Sequence, residues 1–169
     1  MDLLIVRHAI AMDRDPRRWP DDRLRPLSVR GIARGRKAAL GIRHLSAKPE
    51  LFLVSPLLRA QQTAQILQRY ARWPRPQVWA ELAAEVPALE LLARLGRGAA
   101  DFVALVGHEP QLSALLRLCL PGESAEGLVL RKMGIALVRF RGRARRGHGR
   151  LVWFAPPKLL RAVVSARSR

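Results

Sequence analysis

The sequence predicts an α/β fold in a single three-layer domain, with a mostly parallel central sheet flanked by helices and antiparallel edge strands near the C-terminus. Three short apolar runs, at residues 3–6, 51–54 and 102–106, are rich in branched side chains and have the length of buried strands. Helical patterns lie between them, and strands that alternate with helices are typical of parallel sheets. Two further apolar runs, at residues 135–140 and 151–154, are joined by a Gly-rich link of about ten residues, which favours an antiparallel hairpin at the sheet edge.

Length and composition place the chain among ordinary folded proteins. Its 169 residues predict one domain over residues 1–169, and 49% of them are hydrophobic, which is enough to bury a core. The single cysteine, Cys119, excludes an internal disulfide and a Cys-rich metal site, and its apolar neighbours predict a buried thiol. No apolar run approaches the roughly 18 residues that span a bilayer, and no leader pattern is visible, so we expect a soluble cytoplasmic protein.

The net charge of +18 is the one extreme value, and Arg outnumbers Lys by 27 to 4. Such a charge favours anionic partners, which include acidic proteins, nucleic acid and lipid surfaces, without choosing among them. Residues 139–150 alone hold six Arg and one His. We interpret this segment first as a solvated hairpin connection. A nucleic-acid contact or a docking role toward an acidic phosphoprotein stays open, although Phe140 is the only aromatic residue there and base stacking is disfavoured.

Caps and periodicity predict the first two helices. Residues 13–25 show no periodicity and predict a loop over the mouth of a site at the end of the first strand. Ser28 is the expected N-cap of the first helix, and Ser55 that of the second, with Pro56 at its first position. Glycines weaken the first helical pattern, whereas the second is regular. The apolar positions are Val29, Ile32, Ala33, Leu40 and Leu45 in the first helix, which Gly31, Gly35 and Gly41 interrupt, and Leu57, Ala60, Ala64, Leu67 and Ala71 in the second.

The remaining elements follow from the same signals. Residues 77–80 predict a short strand, and residues 88–95 predict a helix that is stopped by Gly96 and Gly98. After the third long strand, a helix that begins at Pro110 presents its apolar residues on one face. The tail after residue 156 predicts a last short helix.

Cationic side chains follow three of the predicted strands where each strand ends. Arg7 and His8 follow the first strand, Arg59 comes shortly after the second, and His108 follows the third. In open α/β sheets, ligands bind beyond the carboxyl ends of parallel strands, so these four side chains should converge in one crevice. The fork of a guanidinium suits phosphate better than other side chains do. The expected ligand is therefore a phosphoryl group.

Three motifs in this order resemble the histidine phosphatase superfamily, which has the phosphoglycerate-mutase-like fold. They are Arg7-His8 after an N-terminal strand, Ser55-Pro56-Leu57-Leu58-Arg59 with Gln62-Thr63-Ala64 behind it, and Gly107-His108-Glu109-Pro110. Within the superfamily, the short length and Arg25-Pro26-Leu27-Ser28 followed by Gly31 resemble the SixA-type phosphohistidine phosphatases. The resemblance covers roughly residues 2–120.

The resemblance implies a phosphatase that forms a covalent intermediate on His8. This imidazole would be the nucleophile, kept neutral by neighbouring cations that lower its pKa. Arg7, Arg59 and His108 would bind the phosphoryl oxygens as charge spreads in the transition state. Because the guanidiniums neutralise that charge, we expect neither a metal nor a cofactor. Further phosphate or substrate contacts would be Arg25 and Ser55.

Two departures from the superfamily pattern bear on the substrate. Ala9 stands where the first motif usually has Gly, a variant that SixA-like members tolerate. Members that act on alkyl phosphates also supply a carboxylic acid, and here only Glu81 and Glu85 are candidates. An alkoxide leaving group needs the proton of that acid, whereas the imidazole of phosphohistidine can leave already protonated. The missing motif therefore favours phosphohistidine on a protein, such as a histidine phosphotransfer protein.

Two alternatives to this function stay open. One is a phosphatase for small phosphate esters that uses Glu81 as its general acid. The other is a non-catalytic module that binds phosphate or nucleic acid through the same cations. The expected partner is thus a phosphorylated protein or a small phosphorylated substrate, with nucleic acid disfavoured and no membrane span.

Overall fold

The computed structural model describes residues 1–83, 86–122 and 127–166, and its strands form one mixed sheet. The strand order is β3-β2-β4-β1-β5-β6, in which β3, β2, β4 and β1 run parallel while β5 and β6 are antiparallel to their neighbours. This confirms the predicted mostly parallel sheet with antiparallel edge strands. The strands are β1 Asp2–Arg7, β2 Leu51–Val54, β3 Gln77–Val78, β4 Phe102–Gly107, β5 Ile135–Phe140 and β6 Gly149–Ala155.

Helices cover both faces of the sheet and make the predicted three layers. Alternate residues of β1 enter different cores: Leu4 packs on the side of α1, α2 and α5, and Leu3 packs on the side of α3 and α4. Both leucines are fully buried, as the near-continuous apolar strand predicts. The helices are α1 Val29–Leu45, α2 Leu58–Ile66 with a π-helical turn at Leu67–Ala71, α3 Ala88–Arg97, α4 Gln111–Cys119 and α5 Pro157–Ala166.

Glycines make the packing face of α1, which corrects the sequence interpretation. Ser28 is the N-cap as predicted, and its hydroxyl accepts from the N–H of Gly31 at 3.0 Å. Val29, expected on the apolar face, is 85% exposed. A Cβ on Gly31 would lie 1.9 Å from the carbonyl oxygen of Ile10, and one on Gly41 would lie 1.8 Å from that of Leu160. The glycines that weaken the helical pattern are therefore what allows α1 to approach its neighbours.

The start of α2 also differs from the prediction. Its first residue is Leu58 and its N-cap is Leu57, so Ser55 is not the cap and Pro56 is not the first helical residue. Ser55 instead contacts His108, which follows β4. The predicted apolar stripe is confirmed, since Leu57, Ala60, Ala64, Leu67 and Ala71 are all buried.

Other boundaries shift by a few residues. The strand predicted at residues 77–80 is only Gln77–Val78 and is followed by a 3₁₀ turn at Ala80–Leu82. Helix α3 continues through Gly96 to Arg97, and Gly98, the second of the two glycines expected to stop it, is its C-cap. The thiol of Cys119 is fully buried as predicted, and burial raises its pKa to about 12. None of the helices in the described ranges has the length and apolar character that a bilayer crossing requires.

Candidate active site

The carboxyl ends of three neighbouring strands bring two histidines together. Strands β1 and β2 pair with β4 in parallel, and Val6 and Val54 both lie opposite Val106. The residues that follow these positions therefore leave the sheet at the same edge. There the rings of His8 and His108 lie with centroids 4.9 Å apart and with planes tilted by 51°. The two imidazoles expected at this edge therefore lie side by side.

A backbone carbonyl decides which nitrogen of His8 carries a proton. Nδ1 of His8 lies 2.6 Å from the carbonyl oxygen of Ala9. Because a carbonyl only accepts hydrogen bonds, Nδ1 donates there, and the lone pair of the neutral ring is on Nε2. Thr63 anchors this segment, since its hydroxyl accepts from the N–H of Ala9 at 3.0 Å and donates to the carbonyl of Arg59 at 2.7 Å. The ring therefore presents an unprotonated nitrogen from a fixed backbone.

Burial keeps both imidazoles neutral at ordinary pH. It is the main reason that the pKa of His8 is lowered to about 3, and that the pKa of His108 is also lowered to about 3. The neighbouring cations, which the sequence suggested as the cause, contribute less than burial. They are Arg59, Arg7 and Lys132 for His8, and Arg59 and Arg7 for His108.

Ser55 contacts the second imidazole. Its Oγ lies 2.8 Å from Nε2 of His108 and accepts from the N–H of Leu57 at 3.3 Å. Since that N–H already occupies one lone pair of the oxygen, the hydroxyl proton is free to be donated to Nε2 of His108. When the hydroxyl donates to Nε2, Nδ1 of His108 carries the ring proton.

A turn before β5, residues 130–134, holds Arg7 in place. Nη1 of Arg7 donates to a carbonyl of this turn at 2.8 Å, and the N–H of Met133 donates to the carbonyl of Arg7 at 3.0 Å. Met133 has a left-handed φ of 66°, which turns the chain back toward β1. The same turn brings Lys132 close enough to lower the pKa of His8. Sequence reasoning missed Lys132, because the turn carries no motif and the hydrogen bond of Arg7 spans 123 positions.

Residues 13–25 form the predicted loop over the site, and Asp22 ties that loop to Arg59. Arg59 is 7% exposed, and its Nη1 donates to the carbonyl of Asp22 at 2.8 Å while Nη2 lies 3.2 Å from Oδ2 of the same residue. Nε of Arg25 donates to Oδ1 of Asp22 at 2.7 Å, and this hydrogen bond is the main reason that the pKa of Asp22 is lowered. Arg25 also donates to the carbonyl of Met12 at 2.7 Å, so its phosphate contact stays a prediction.

Asp22 was not among the residues singled out in the sequence. It stands three positions before Arg25 in a loop that is rich in Arg, Asp and Pro. An acidic residue at helical spacing from an arginine is a signal of an ion pair, but the same spacing occurs on many solvated surfaces. The contact with Arg59, 37 positions away, decides its importance.

Unpaired hydrogen-bond donors mark this end of the sheet. In the described part of the chain, five buried side-chain polar atoms have no hydrogen-bond partner. Three of them belong to the site: Nε of Arg7, Nε of Arg59 and Nδ1 of His108. A buried donor without an acceptor is costly, and such donors at one place suit an oxyanion that can accept from each of them.

Comparisons with known proteins agree with this geometry. A model of the histidine phosphatase superfamily (branch 1) matches residues 3–86. An uncharacterized protein of Picosynechococcus sp. is 38% identical over 142 residues, which are 82% of this chain and 85% of that protein. The chain belongs to the histidine phosphatase superfamily. The structure of the protein histidine phosphatase SixA complexed with tungstate matches with a TM-score of 0.78 and 26% identity, over 94% of this chain and 98% of SixA.

A second SixA structure has the same fold as this chain. The candidate phosphohistidine phosphatase SixA from Agrobacterium tumefaciens matches with a TM-score of 0.78 and 24% identity, over 92% of this chain and 97% of that one, which shows a common fold. The superfamily model covers Arg7, His8 and Arg59, whereas His108 and residues 130–134 lie beyond it. Those later residues fall within the SixA-type fold that the structural matches span.

Glu81, the candidate general acid for phosphate esters, has its carboxylate bound to another side chain. The carboxylate of Glu81 forms a hydrogen-bonded ion pair with Arg94, which also binds Glu90 at 3.1 Å. The backbone carbonyl of Glu81 accepts from Gln111 at 3.0 Å. Glu85, the other candidate, lies outside the described residues. Among the residues that are described, no group of three or more His, Cys, Asp and Glu side chains could hold a metal ion.

The Arg-rich segment lies at the opposite end of the sheet from the superfamily motifs. In the antiparallel register, Arg139 lies opposite Asp2 at the start of β1, whereas Ile135 lies opposite Val6 near its end. The two ends are roughly 17 Å apart at about 3.3 Å per residue. A concavity of about 860 Å³ opens there, which we call the distal basic patch. Its charged residues are Arg139, Arg141, Arg143, Arg145, His148 and Arg150.

Proposed function

We propose that this chain is a phosphatase that hydrolyses the P–N bond of phosphohistidine on a protein through a phosphorylated His8. The observation that carries the proposal is the pair of buried imidazoles, His8 and His108, with ring centroids 4.9 Å apart at the strand ends that also supply two guanidiniums. A neutral, desolvated imidazole beside cations is the arrangement that a nucleophilic histidine needs.

The attacking atom in this mechanism is Nε2 of His8. Its lone pair forms a bond to phosphorus while the bond from phosphorus to the substrate imidazole breaks and returns its electron pair to that nitrogen. The substrate ring enters with its other nitrogen already protonated, so it leaves as neutral imidazole without a proton from the enzyme. The positive charge that develops on His8 is stabilised by the hydrogen bond from Nδ1 to the carbonyl of Ala9. Water then attacks phosphorus, the bond to Nε2 breaks, and phosphate and neutral His8 are released.

The cations stabilise the transferring phosphoryl group. Its equatorial oxygens gain partners in Nε of Arg7, Nε of Arg59 and Nδ1 of His108, the donors that have none within the described structure. Preorganised donors of this kind, held in a site with little water, contribute most of the stabilisation in phosphoryl transfer. Ser55 positions one of them by binding the other nitrogen of His108.

The carboxylates of the site favour phosphohistidine over phosphate esters. Hydrogen bonds and charge from Arg25 and Arg59 lower the pKa of Asp22 and favour its charged form, which cannot donate a proton. The carboxylate of Glu81 is bound to Arg94 rather than free to face a substrate. An ester would leave as an alkoxide and lose the general-acid contribution of about 10² to 10⁴ in rate, whereas imidazole does not depend on it. SixA, which shares the fold over 94% of this chain, is described as a protein histidine phosphatase and binds tungstate, a tetrahedral oxyanion.

Trapping the covalent intermediate tests the proposal. A peptide that carries ³²P-labelled phosphohistidine is mixed with the protein, and the reaction is stopped with alkali, because the P–N bond of phosphohistidine is labile in acid. We expect label on the wild-type chain, and a loss of turnover of at least about 10⁴-fold in His8→Ala.

A second variant distinguishes the nucleophile from a residue that only stabilises charge. In His108→Gln, we expect slower turnover with the label still on His8, because that residue stabilises charge but forms no bond to phosphorus. Undiminished turnover in His8→Ala would exclude the mechanism. If the protein bound phosphate and turned over neither phosphohistidine nor an ester such as p-nitrophenyl phosphate, the non-catalytic alternative would hold.

A further inference from the structure

A groove beside the catalytic end of the sheet carries a second set of cations. It has a volume of about 420 Å³ and begins at Arg7. Its floor is made of small or backbone-lined positions, among them Ala9, Gly31 and Gly35. Three separate segments supply its basic rim: α1, the turn of residues 130–134, and the start of α5. We call this the basic groove, and its rim residues are Arg34, Arg131, Lys132, Lys158 and Arg161.

The rim charges are not neutralised by the protein. None of the described residues that line the basic groove is Asp or Glu. None of its five rim cations forms an ion pair within the described ranges, in contrast to Arg25 and Arg59, which share Asp22. Arg34, Arg131, Lys132 and Lys158 are exposed, and Arg161 is partly buried. An unpaired positive rim around a concave floor attracts an anionic surface.

The basic groove adjoins the proposed catalytic centre, since Arg7 and Ala9, the chain neighbours of His8, both line it. Arg7 belongs to both, because it lines the groove and also lowers the pKa of His8. Lys132, on the rim, also lines the groove and lowers the pKa of His8. One phosphoryl group, already faced by Arg7 and Arg59, does not need five more cations. The surplus charge therefore suits a part of the substrate that lies outside the phosphoryl group.

We propose that the basic groove docks an acidic surface of the histidine-phosphorylated protein and so determines which phosphoproteins are substrates; this rests on the function proposed above. A phosphohistidine that enters a site at a sheet edge brings with it the protein surface around it, and that surface must lie against whatever borders the site. Complementary charge at such a border raises association rates and selects partners more than it adds affinity. Carboxylates are the groups that the unpaired rim can accept.

The groove fits a protein better than nucleic acid. None of the described residues that line it is aromatic, so bases have no stacking platform there. The rim cations lie on different segments around a floor of Ala and Gly rather than along one line that a phosphate backbone could follow. An acidic patch on a folded protein or peptide can meet such a rim from one side.

Matched charge reversals test the groove. One triple variant is Arg34→Glu/Lys158→Glu/Arg161→Glu in the basic groove, and the control is Arg141→Glu/Arg145→Glu/Arg150→Glu in the distal basic patch, which changes the net charge equally. The substrates are a phosphohistidine peptide with Glu flanks, the same peptide with Lys flanks, and free phosphohistidine. The measured quantity is the ratio of kcat/KM for the Glu-flanked peptide to kcat/KM for free phosphohistidine.

We expect the groove triple to lower this ratio by roughly tenfold to hundredfold, the range that electrostatic steering covers. The distal triple should leave the ratio within about twofold. The groove triple should also gain on the Lys-flanked peptide relative to wild type, which shows that the variant is folded and that the effect depends on the sign of the charge. The ratio of the wild type should fall as salt is added, and that of the groove triple should fall less.

Three outcomes would overturn the inference. Equal losses in the two triples would mean that net charge alone matters. Equal losses on the peptide and on free phosphohistidine would make the groove part of a small-anion site. Salt-sensitive binding of an oligonucleotide that the groove triple abolishes, with an unchanged peptide ratio, would assign the groove to nucleic acid. Failure of wild type on every phosphohistidine substrate would instead reject the proposed function, and the two failures are therefore distinguishable.

Discussion

The two ends of β1 carry two groups of cations that differ in how their side chains are held. At the carboxyl end, Arg59 is 7% exposed and bonded to both the carbonyl and the carboxylate of Asp22, and Arg7 is bonded to the turn of residues 130–134. At the other end, in the distal basic patch, Arg141, Arg145 and Arg150 are exposed and have no partner in the described ranges. The patch has more arginines, yet it is the buried Arg59 and the partly buried Arg7 that stand next to the imidazoles.

The difference teaches that positioning, rather than the number of charges, makes a catalytic site. An exposed guanidinium keeps its hydration and its rotamer freedom, so it stabilises a bound charge weakly. A buried one has already lost both during folding, and it acts in a medium where electrostatic interactions are stronger. The free-energy cost of burying these charges is offset by folding, which places Asp22, Thr63 and the turn of residues 130–134 where they hold the charged segments.

Removing one arginine from each end gives the largest expected contrast. Arg59→Gln should lower kcat/KM for a phosphohistidine peptide by roughly 10² to 10³, because it deletes one preorganised donor to the transferring phosphoryl group. Arg141→Gln removes the same group from the distal basic patch and should change kcat/KM by less than about twofold. Steady-state kinetics of the two variants side by side measure the contrast. Similar losses in both would mean that burial does not distinguish the two clusters.

Acid should destabilise the buried end of the molecule. The pKa values of His8 and His108 are lowered to about 3 in the folded state, so below about 6.5 the unfolded chain binds protons that the folded chain does not. Stability contributed by the neutral rings is full above pH 6.5 and is lost as pH falls toward 3. Urea unfolding at pH 7.5 and 5.5 should show a loss of roughly 2–3 kcal/mol from the two rings together.

The double variant His8→Ala/His108→Ala is the control for that titration. It should lose much of the pH dependence between 7.5 and 5.5, because the two proton-binding differences are gone. Asp22 and Asp2 have lowered pKa values and titrate below this window. An unchanged pH dependence in the double variant would show that the two imidazoles are not held neutral by the fold.

A smaller effect on stability is expected when one methyl group is added to a tightly packed glycine, compared with a glycine in open space. Gly31→Ala places a Cβ against the carbonyl oxygen of Ile10, which also accepts from the N–H of Ser28 at 3.0 Å and so is not free to move. We expect a loss of about 1–3 kcal/mol in the free energy of unfolding. Gly142→Ala meets nothing within 4 Å and should be nearly neutral. Chemical denaturation compares the two, and equal stabilities would show that α1 can shift without cost.

The smallest predicted effect concerns the support of His108. Ser55→Ala removes the hydroxyl that lies 2.8 Å from Nε2 of His108 and should lower kcat by roughly twofold to tenfold with little change in KM, because a single hydrogen bond is worth about 0.5–1.5 kcal/mol. Ser46→Ala, which removes an exposed hydroxyl bound only to the neighbouring carbonyl of Ala47, serves as the control. A rise in KM with unchanged kcat would assign Ser55 to phosphate binding instead.

Local patterns were sufficient for the main elements and for the strand-end residues. An apolar run followed by a cation is readable without coordinates, and the rule for parallel strands brings Arg7, His8 and His108 to one edge. The glycines of α1 show where such reasoning fails. A hydrophobic pattern depends on the side chains that are present. It therefore cannot indicate that a helix packs closely because Gly31 and Gly41 have none.

By itself, the sequence determined the strand order along the chain, the helical stripe of α2 and the membership of the histidine phosphatase superfamily, since each depends on short local patterns and on their order along the chain. Only the tertiary structure decided the partners of these residues. The contacts of Arg59 with Asp22 and of Arg7 with residue 130 span 37 and 123 positions. No local pattern encodes such pairs, because they form only when separate segments are packed on one sheet. The neutral state of His8 has the same origin, since burial by the whole fold is its main cause.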